Sequence, residues 1–329
     1  QESLRSGDDK GAARMLRNAL RFGKEQGYSS LPWSSQRPLR RMCETAFEAG
    51  IEKNYVHGLI RQYQLVTTSM ELEEWPRPLK IYTLGRFSLL RWGDSIRFTG
   101  KPQRRPVDLL KVLVALGGRD VSVGQLCEAM WPAAEGDAAY HAFETTVYRL
   151  RKLIGMEETI MIQSGRASLN NRYCWVDTWA FERILGEIEA FLKQESRSST
   201  GKGLEKLTDQ ALSLYHGHFL GEHENEPWSV SLRERLRSKF IRMLLVVGRY
   251  WEDHGEWDRA ICCYQKGLEL DELVEIFYQR LITCYGRFGR KAEALALLRR
   301  CRRIFSIVLG IQPSEETEAI MQRLLRPDR

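Results

Sequence analysis

The sequence predicts a mainly α chain with small β-sheets, and three observations predict it. Apolar residues recur at helical spacing through the first 63 residues. Between about Leu79 and Asp177, strand-like alternation and hairpin turns flank three helical segments. From about Trp179 onward the pattern is helical again, and near the C-terminus it repeats with a period of 34 residues.

In the first region Ala13, Leu16, Leu20 and Phe22 precede Gly27, Met42, Ala46, Phe47 and Ile51 bracket Gly50, and Tyr55, Leu59 and Ile60 follow. The two glycines punctuate these segments as helix ends. Residues 1–66 are therefore expected to form a helical segment. Residues 67–78, with Glu71, Glu73, Glu74 and two prolines, read as a linker.

Residues 79–177 change character. Leu79, Ile81, Phe87 and Leu89 alternate, and Trp92-Gly93-Asp94 reads as a turn before Ile96 and Phe98. A first helix is expected from about Pro106 to Leu116, burying Leu109, Leu110, Val112, Leu113 and Leu116. The second opens at Ser122, with Gln125 completing a capping box, and stops at Trp131-Pro132. The third opens after Asp137 as N-cap and ends at Gly155. Ile160–Ile162 and Ala167–Leu169 then flank Gln163-Ser164-Gly165-Arg166, a two-stranded hairpin.

Residues 178–329 read as all helix. Phe181, Ile184, Ile188 and Phe191 form an apolar stripe, and Lys193–Gly203 is a polar, Ser-rich loop. The 34-residue period aligns Gly255 with Gly289, Ala260 with Ala294 and Tyr264 with Leu298. This is tetratricopeptide spacing, in which a small residue lets two helices pack closely.

Composition excludes several classes. Nine Trp and apolar residues along all 329 positions exclude a disordered chain, and no run approaches the ~20 apolar residues of a membrane span. Seven scattered cysteines without a C-x-x-C pair read as reduced thiols of a cytoplasmic protein, not zinc ligands. The formal charge of +7 decides nothing as a total; its placement does.

That placement centres on Ala138–Ile154. Ala139, Phe143, Val147, Leu150 and Ile154 make one apolar stripe, leaving His141, Thr145, Tyr148, Arg149 and Lys152 on the outward face with Glu144 as the nearby acid. Arginine bonds guanine bidentately, threonine meets a thymine methyl or a phosphate, and lysine neutralises phosphate. A strand hairpin, three helices and a terminal hairpin with Arg166 at its tip together describe a winged helix-turn-helix, whose third helix enters the major groove.

Residues 79–177 resemble the OmpR-type winged helix of Streptomyces antibiotic regulatory proteins. The likeness is carried by Leu84-Gly85-Arg86-Phe87, Leu109-Leu110-Lys111-Val112-Leu113, Val121-Ser122, Leu126, Met130-Trp131-Pro132 and Val147–Gly155. Val176-Asp177 through Phe181, Leu214–Leu220 and the 34-residue repeats resemble the bacterial transcriptional activator domain of the same family. The two resemblances cover about three-quarters of the chain. Ala142–Lys152 with Cys174-Trp175-Val176-Asp177, and Ala46–Ile51 with Tyr55-Val56, resemble large MalT-like regulators. In these an ATP-binding signalling module and helical repeats precede the DNA-binding unit. The chain is accordingly read as the output end of a longer regulator with an N-terminal signalling module, and Gln1 as an internal boundary.

The resemblance implies that Glu144, Thr145 and Arg149 approach bases and that His141, Thr146, Tyr148 and Arg151 approach the phosphate backbone. Lys152, Arg104, Arg105 and Arg166 would add phosphate contacts. The wing lacks the family's common Gly-Tyr pair and reads Ser164-Gly165-Arg166-Ala167-Ser168-Leu169. The partners implied are double-stranded promoter DNA, RNA polymerase and further copies of the chain, with no membrane.

His216, His218 and His223, with Glu222 and Glu224, form the densest imidazole cluster but sit in a Gly-containing connection and are not read as a metal site. No nucleophile elbow and no G-x-x-x-x-G-K-[ST] occurs, so neither a cofactor nor an enzymatic activity is expected. The expected function is sequence-specific transcription regulation, probed against the alternative of a protein-interaction scaffold whose winged helix docks partners without DNA affinity.

Overall fold

The computed structural model describes residues 9–28, 36–67, 75–98, 104–194, 201–221 and 226–325. The chain divides into two units. One comprises Gln1–Thr83, Phe87–Trp179 and Asn225–Ser229; the other comprises Leu84–Arg86, Ala180–Glu224 and Val230–Arg329.

The first unit begins with α1 (Asp9–Glu25), α2 (Gln36–Glu48) and α3 (Lys53–Gln62). Gly27 and Gly50 end the first two helices at φ near +65°, as their positions predict. The core runs from Leu20, Leu39, Cys43, Ala46 and Phe47 through Val56, Leu59 and Ile60 to Trp75. Phe22, expected inside, is 57% exposed, because the one-sided stripe turns past it. Within the segment read as a linker, Thr67 and Trp75 are buried. The Trp75 ring packs 5.6 Å from Phe47, and its Nε1–H donates to the Leu65 carbonyl. Its indole thus belongs to the helical core; residues 68–74 lie outside the described residues.

A four-stranded sheet of order β3-β2-β1-β7 follows, built from β1 (Leu79–Tyr82), β2 (Ser88–Arg91), β3 (Asp94–Ser95) and β7 (Cys174–Val176). β1 and β2 pair antiparallel and bury Leu79, Ile81 and Leu89, while β7 pairs parallel with β1, Leu79 opposite Cys174. Trp92 and Gly93 both have positive φ, the signature of a two-residue primed hairpin turn. The strand after it ends at Ser95, short of the Ile96 and Phe98 expected in it.

Three helices pack beyond the sheet: α4 (Arg104–Ala115), α5 (Val123–Met130) and α6 (Gly136–Ile154). Leu109, Leu110, Val112 and Leu113 are buried as predicted, but Leu116 falls beyond the helix end and is 37% exposed. Ser122 precedes α5 with extended backbone and no side-chain cap bond, so the predicted capping box with Gln125 does not form. Instead Ser122 belongs to β4 (Val121–Ser122), which pairs with β6 (Arg166–Leu169); β6 pairs with β5 (Ile160–Gln163) in a three-stranded sheet.

The second unit is helical, with α7 (Asp177–Gln194) leading in, then α8 (Lys202–Leu214), α9 (Pro227–Asp253), α10 (Trp257–Leu270), α11 (Glu275–Arg287), α12 (Lys291–Ile304) and α13 (Glu315–Leu325). Residues 195–200 of the predicted Ser-rich loop lie outside the described residues. The bounds of α12 are those of α10 shifted by 34 residues. Ala260, Ala294, Tyr264 and Leu298 are all buried, and Gly255 and Gly289 both turn the chain at positive φ. The backbones pack closely where side chains are absent: a Cβ on Gly267 would lie 2.5 Å from the Phe277 ring.

Tyr215 stacks on Phe240 at 4.1 Å, and Phe181 packs 5.2 Å from Tyr215. The Leu214–Leu220 motif meets Leu84–Arg86 inside this unit, with the Gly85 N–H donating to the His218 carbonyl at 3.1 Å. Gly85, at φ +97°, lies against Gly217, whose absent Cβ would stand 3.2 Å from the Gly85 Cα. All seven cysteines are free thiols; Cys262 is exposed, while its neighbour Cys263 is buried. Burial pushes the Cys43 and Cys263 thiols up to about 12.

Candidate nucleic-acid interface

α6 is positioned by its apolar stripe. Ala139, Phe143, Val147, Leu150 and Ile154 are all buried, as the 3.6-residue period requires. The helix begins two residues earlier than predicted: Glu135 is the N-cap and Asp137 lies in the first turn, where its carboxylate complements the helix dipole. Gly155 closes the other end in the left-handed region, its N–H donating to the Arg151 carbonyl at 2.8 Å.

On the opposite face His141, Glu144, Thr145, Tyr148, Arg149 and Lys152 are exposed. Glu144 stands 3.7 Å from His141, which occupies the one acid of this face. The Lys152 ammonium lies 4.5 Å from the centre of the Tyr148 ring, and that ring is 55% exposed. Thr145 and Arg149 therefore lie beside an aromatic–cation pair on a surface with cations in excess.

Two predicted contacts are corrected. Thr146 is buried, 7% exposed, and its Oγ1–H donates to the Ala142 carbonyl one turn back. Arg151 turns inward: its Nη2 donates to the Ile160 carbonyl at 2.6 Å, and its Nε is buried without a hydrogen-bond partner. The i+4 geometry places both beside the packed stripe, so the Thr146 hydroxyl and the Nη2 and Nε of Arg151 are turned away from solvent in this conformation.

The wing is the β5–β6 hairpin. Ser164 and Gly165 both have positive φ and make the tip, with Gln163 opposite Arg166 below it. Arg166 is held rather than loose, donating from Nη1 to the Asp120 carbonyl at 2.8 Å and to its carboxylate at 3.1 Å. Arg104 and Arg105 fall within the first turn of α4, not before it. Arg104 is exposed and lies 3.9 Å from Asp108, whereas Arg105 donates to the Met130 carbonyl at the end of α5. The structure thus brings His141, Glu144, Thr145, Tyr148, Arg149 and Lys152 to one face, and sets Arg166 on the hairpin. Sequence reading missed Arg119, exposed near the base of the wing with its guanidinium 4.3 Å from the centre of the Trp179 ring. Its signal was the Gly117-Gly118 turn that delivers Arg119-Asp120 to the wing.

Among the described residues no group of three His, Cys, Asp or Glu is arranged to hold a metal ion. The Tyr215 hydroxyl and the His218 Nδ1 lie 3.4 Å apart, while His223, Glu222 and Glu224 lie outside the described residues.

The profile of the family described as "Bacterial transcriptional activator domain" matches residues 176–325, from the end of β7 through α13. Residues 176–325 are thus similar to the bacterial transcriptional activator domain. The chain is homologous to transcriptional regulators of that type. It is 27% identical over 242 residues to the regulatory protein AfsR of Streptomyces griseus, which covers 72% of this chain and 23% of AfsR. It is 23% identical over 244 residues to the transcriptional regulatory protein EmbR of Mycobacterium tuberculosis, covering 69% of this chain and 58% of EmbR. The chain thus spans about a quarter of AfsR and somewhat over half of EmbR. The solved structure of Mycobacterium tuberculosis EmbR, in complex with a low-affinity phosphopeptide, matches with a TM-score of 0.54 at 20% identity, over 77% of this chain and 67% of that one. That likeness supports the architecture of a winged helix-turn-helix joined to a helical activator domain. The described helices include none long and apolar enough to cross a membrane.

Proposed function

We propose that this protein is a sequence-specific, double-stranded-DNA-binding transcription regulator, acting in the cytoplasm and not as an enzyme. The observation that carries the reading is the two-sidedness of α6. Its apolar stripe is sealed in the core while Thr145, Tyr148, Arg149 and Lys152 share its exposed face next to the wing. Arg149, with Thr145 and Glu144, reads base edges in the major groove, because a guanidinium fork matches the acceptors of guanine. Lys152, His141, Tyr148, Arg104 and Arg166 set register on the phosphates. One helix reads too few base pairs for genomic specificity, so copies bind repeated half-sites, with the activator domain mediating self-association and contact with RNA polymerase. An N-terminal signalling module of a MalT-like parent would supply the input.

Selection of bound sequences from a random DNA pool, followed by salt-dependent gel shifts, tests the reading. A recovered motif with regularly spaced half-sites supports it. Failure to enrich any sequence, with no salt-dependent shift, favours the interaction scaffold instead.

A further inference from the structure

A second cationic site lies on the first unit, where α3 meets the four-stranded sheet. Arg61 and Gln62 at the end of α3, with Gln64 and Val66 just after it, face Arg91, Trp92 and Asp94 of the β2–β3 hairpin, with Gly155, Met156 and Tyr173 completing a cleft of about 650 Å³. This lies within the range of small-ligand pockets. Two glycines make room for the two guanidiniums. A Cβ on Gly93 would stand 2.7 Å from the Arg61 Nη2, and one on Gly155 would stand 2.5 Å from the Arg91 Nη1. Among the described residues neither arginine forms an ion pair, and Asp94 pairs with neither although it lines the same cleft. Nearby, the Lys80 amine is pushed below the usual range by burial and by the charge of Arg61. Two guanidiniums are thus gathered here beside a single carboxylate that pairs with neither. Arg91 also donates to the Ile154 carbonyl at 3.2 Å, at the C-terminus of α6.

We propose that this cleft binds a phosphate-bearing small molecule of mononucleotide size. The forked guanidiniums of Arg61 and Arg91 clasp the phosphate, and Trp92, Met156 and Tyr173 offer apolar and aromatic surface to the remainder. The negative end of the α6 dipole opposes an anion at this point, so a site here requires more than one cation, and two converge. Arg91 then spans ligand and helix: fixing its guanidinium also fixes the cap on Ile154. Occupancy would couple α3 to the end of α6. The consequence for DNA rests on reading α6 as the recognition helix; the binding site does not.

Isothermal titration of the full chain with inorganic phosphate, adenosine monophosphate and adenosine tests the site without DNA. Saturable binding of phosphate, tighter binding of adenosine monophosphate and none of adenosine is the expected result. Arg61→Gln and Arg91→Gln should each weaken adenosine monophosphate about tenfold, with circular dichroism unchanged at least for Arg61→Gln, whose side chain makes no hydrogen bond among the described residues. Amide exchange at Ile154–Met156 should slow on binding. Absence of saturable binding, binding that survives both substitutions, or adenosine monophosphate binding no tighter than phosphate would overturn the proposal.

Discussion

Arg151 and Ile160 are joined by a 2.6 Å hydrogen bond from the Arg151 Nη2 to the Ile160 carbonyl, so the last turn of α6 is tied to the first strand of the wing. The helix and the hairpin that frame the proposed groove contact are therefore linked directly, side chain to backbone. Arg151→Ala removes that tie and leaves a carbonyl without its donor, at a cost of about 1–3 kcal/mol in stability. Its DNA salt slope should stay that of the wild type, since Arg151 is not a phosphate contact in this arrangement. A salt slope shallower by about one unit would return Arg151 to the phosphate-contact role that the family resemblance implies.

Arg149→Ala and Lys152→Ala should differ in kind. The first is expected to cost ~1–3 kcal/mol on the cognate site and to relax preference at one base position. The second should weaken all sequences alike and flatten the dependence of affinity on salt. Fluorescence anisotropy over a salt series, on cognate and scrambled duplexes, separates these patterns. Equal loss on both duplexes for Arg149→Ala would remove it from base reading.

Much of this was legible in the sequence because period and turn chemistry are local. The stripe from Ala139 to Ile154, the positive-φ ends at Gly27, Gly50 and Gly155 and the 34-residue offset all depend on residues a few positions apart. The inward turn of Arg151, by contrast, depends on a strand that happens to pass beside it, and the lost cap at Ser122 on its recruitment into β4. The family resemblance assigns Thr146 to the phosphate backbone, whereas here its hydroxyl is satisfied by its own helix and buries at little expense. Trp75 was hidden for a similar reason: prolines and glutamates around it set the reading of the whole segment, and the partner, Phe47, lies 28 positions away.

In the helical unit, two glycine substitutions should have opposite signs. Gly→Ala in a helix interior ordinarily stabilises by up to ~1 kcal/mol. Gly186, in α7, has nothing within 4 Å of its would-be Cβ, so Gly186→Ala should stabilise by roughly 0.5–1 kcal/mol. Gly267→Ala must displace the Phe277 ring and should instead destabilise by about 1–3 kcal/mol. Urea midpoints measure both. A stabilising Gly267→Ala would mean that α10 and α11 separate at small cost.

An acid-side dependence is expected from Arg302 and Glu318, which join α12 to α13 through paired hydrogen bonds, one at 2.8 Å. Hydrogen bonding from Arg302 holds the Glu318 carboxyl below the usual range. A carboxyl whose folded value is depressed contributes stability in full above its unfolded value and loses it as pH falls through the folded one. The contribution should thus be intact above about pH 5 and fade below about pH 4. Comparing urea midpoints of wild type and Glu318→Gln across that range isolates it: the gap should close on acidification. A gap independent of pH would show that the carboxylate charge is not what stabilises this corner.

The parallel pairing of β1 with β7 has a mechanical consequence. Leu79 begins β1, Val176 ends β7, and Leu79 stands opposite Cys174, so the chain enters and leaves the winged segment through adjacent strands of one ladder. Such strands lie about 4.8 Å apart. Tension applied through the polypeptide on either side would act along the strands in opposite directions. It would load the rungs of that ladder together, in shear, rather than peel them singly, and α6 would be shielded from strain arriving along the chain.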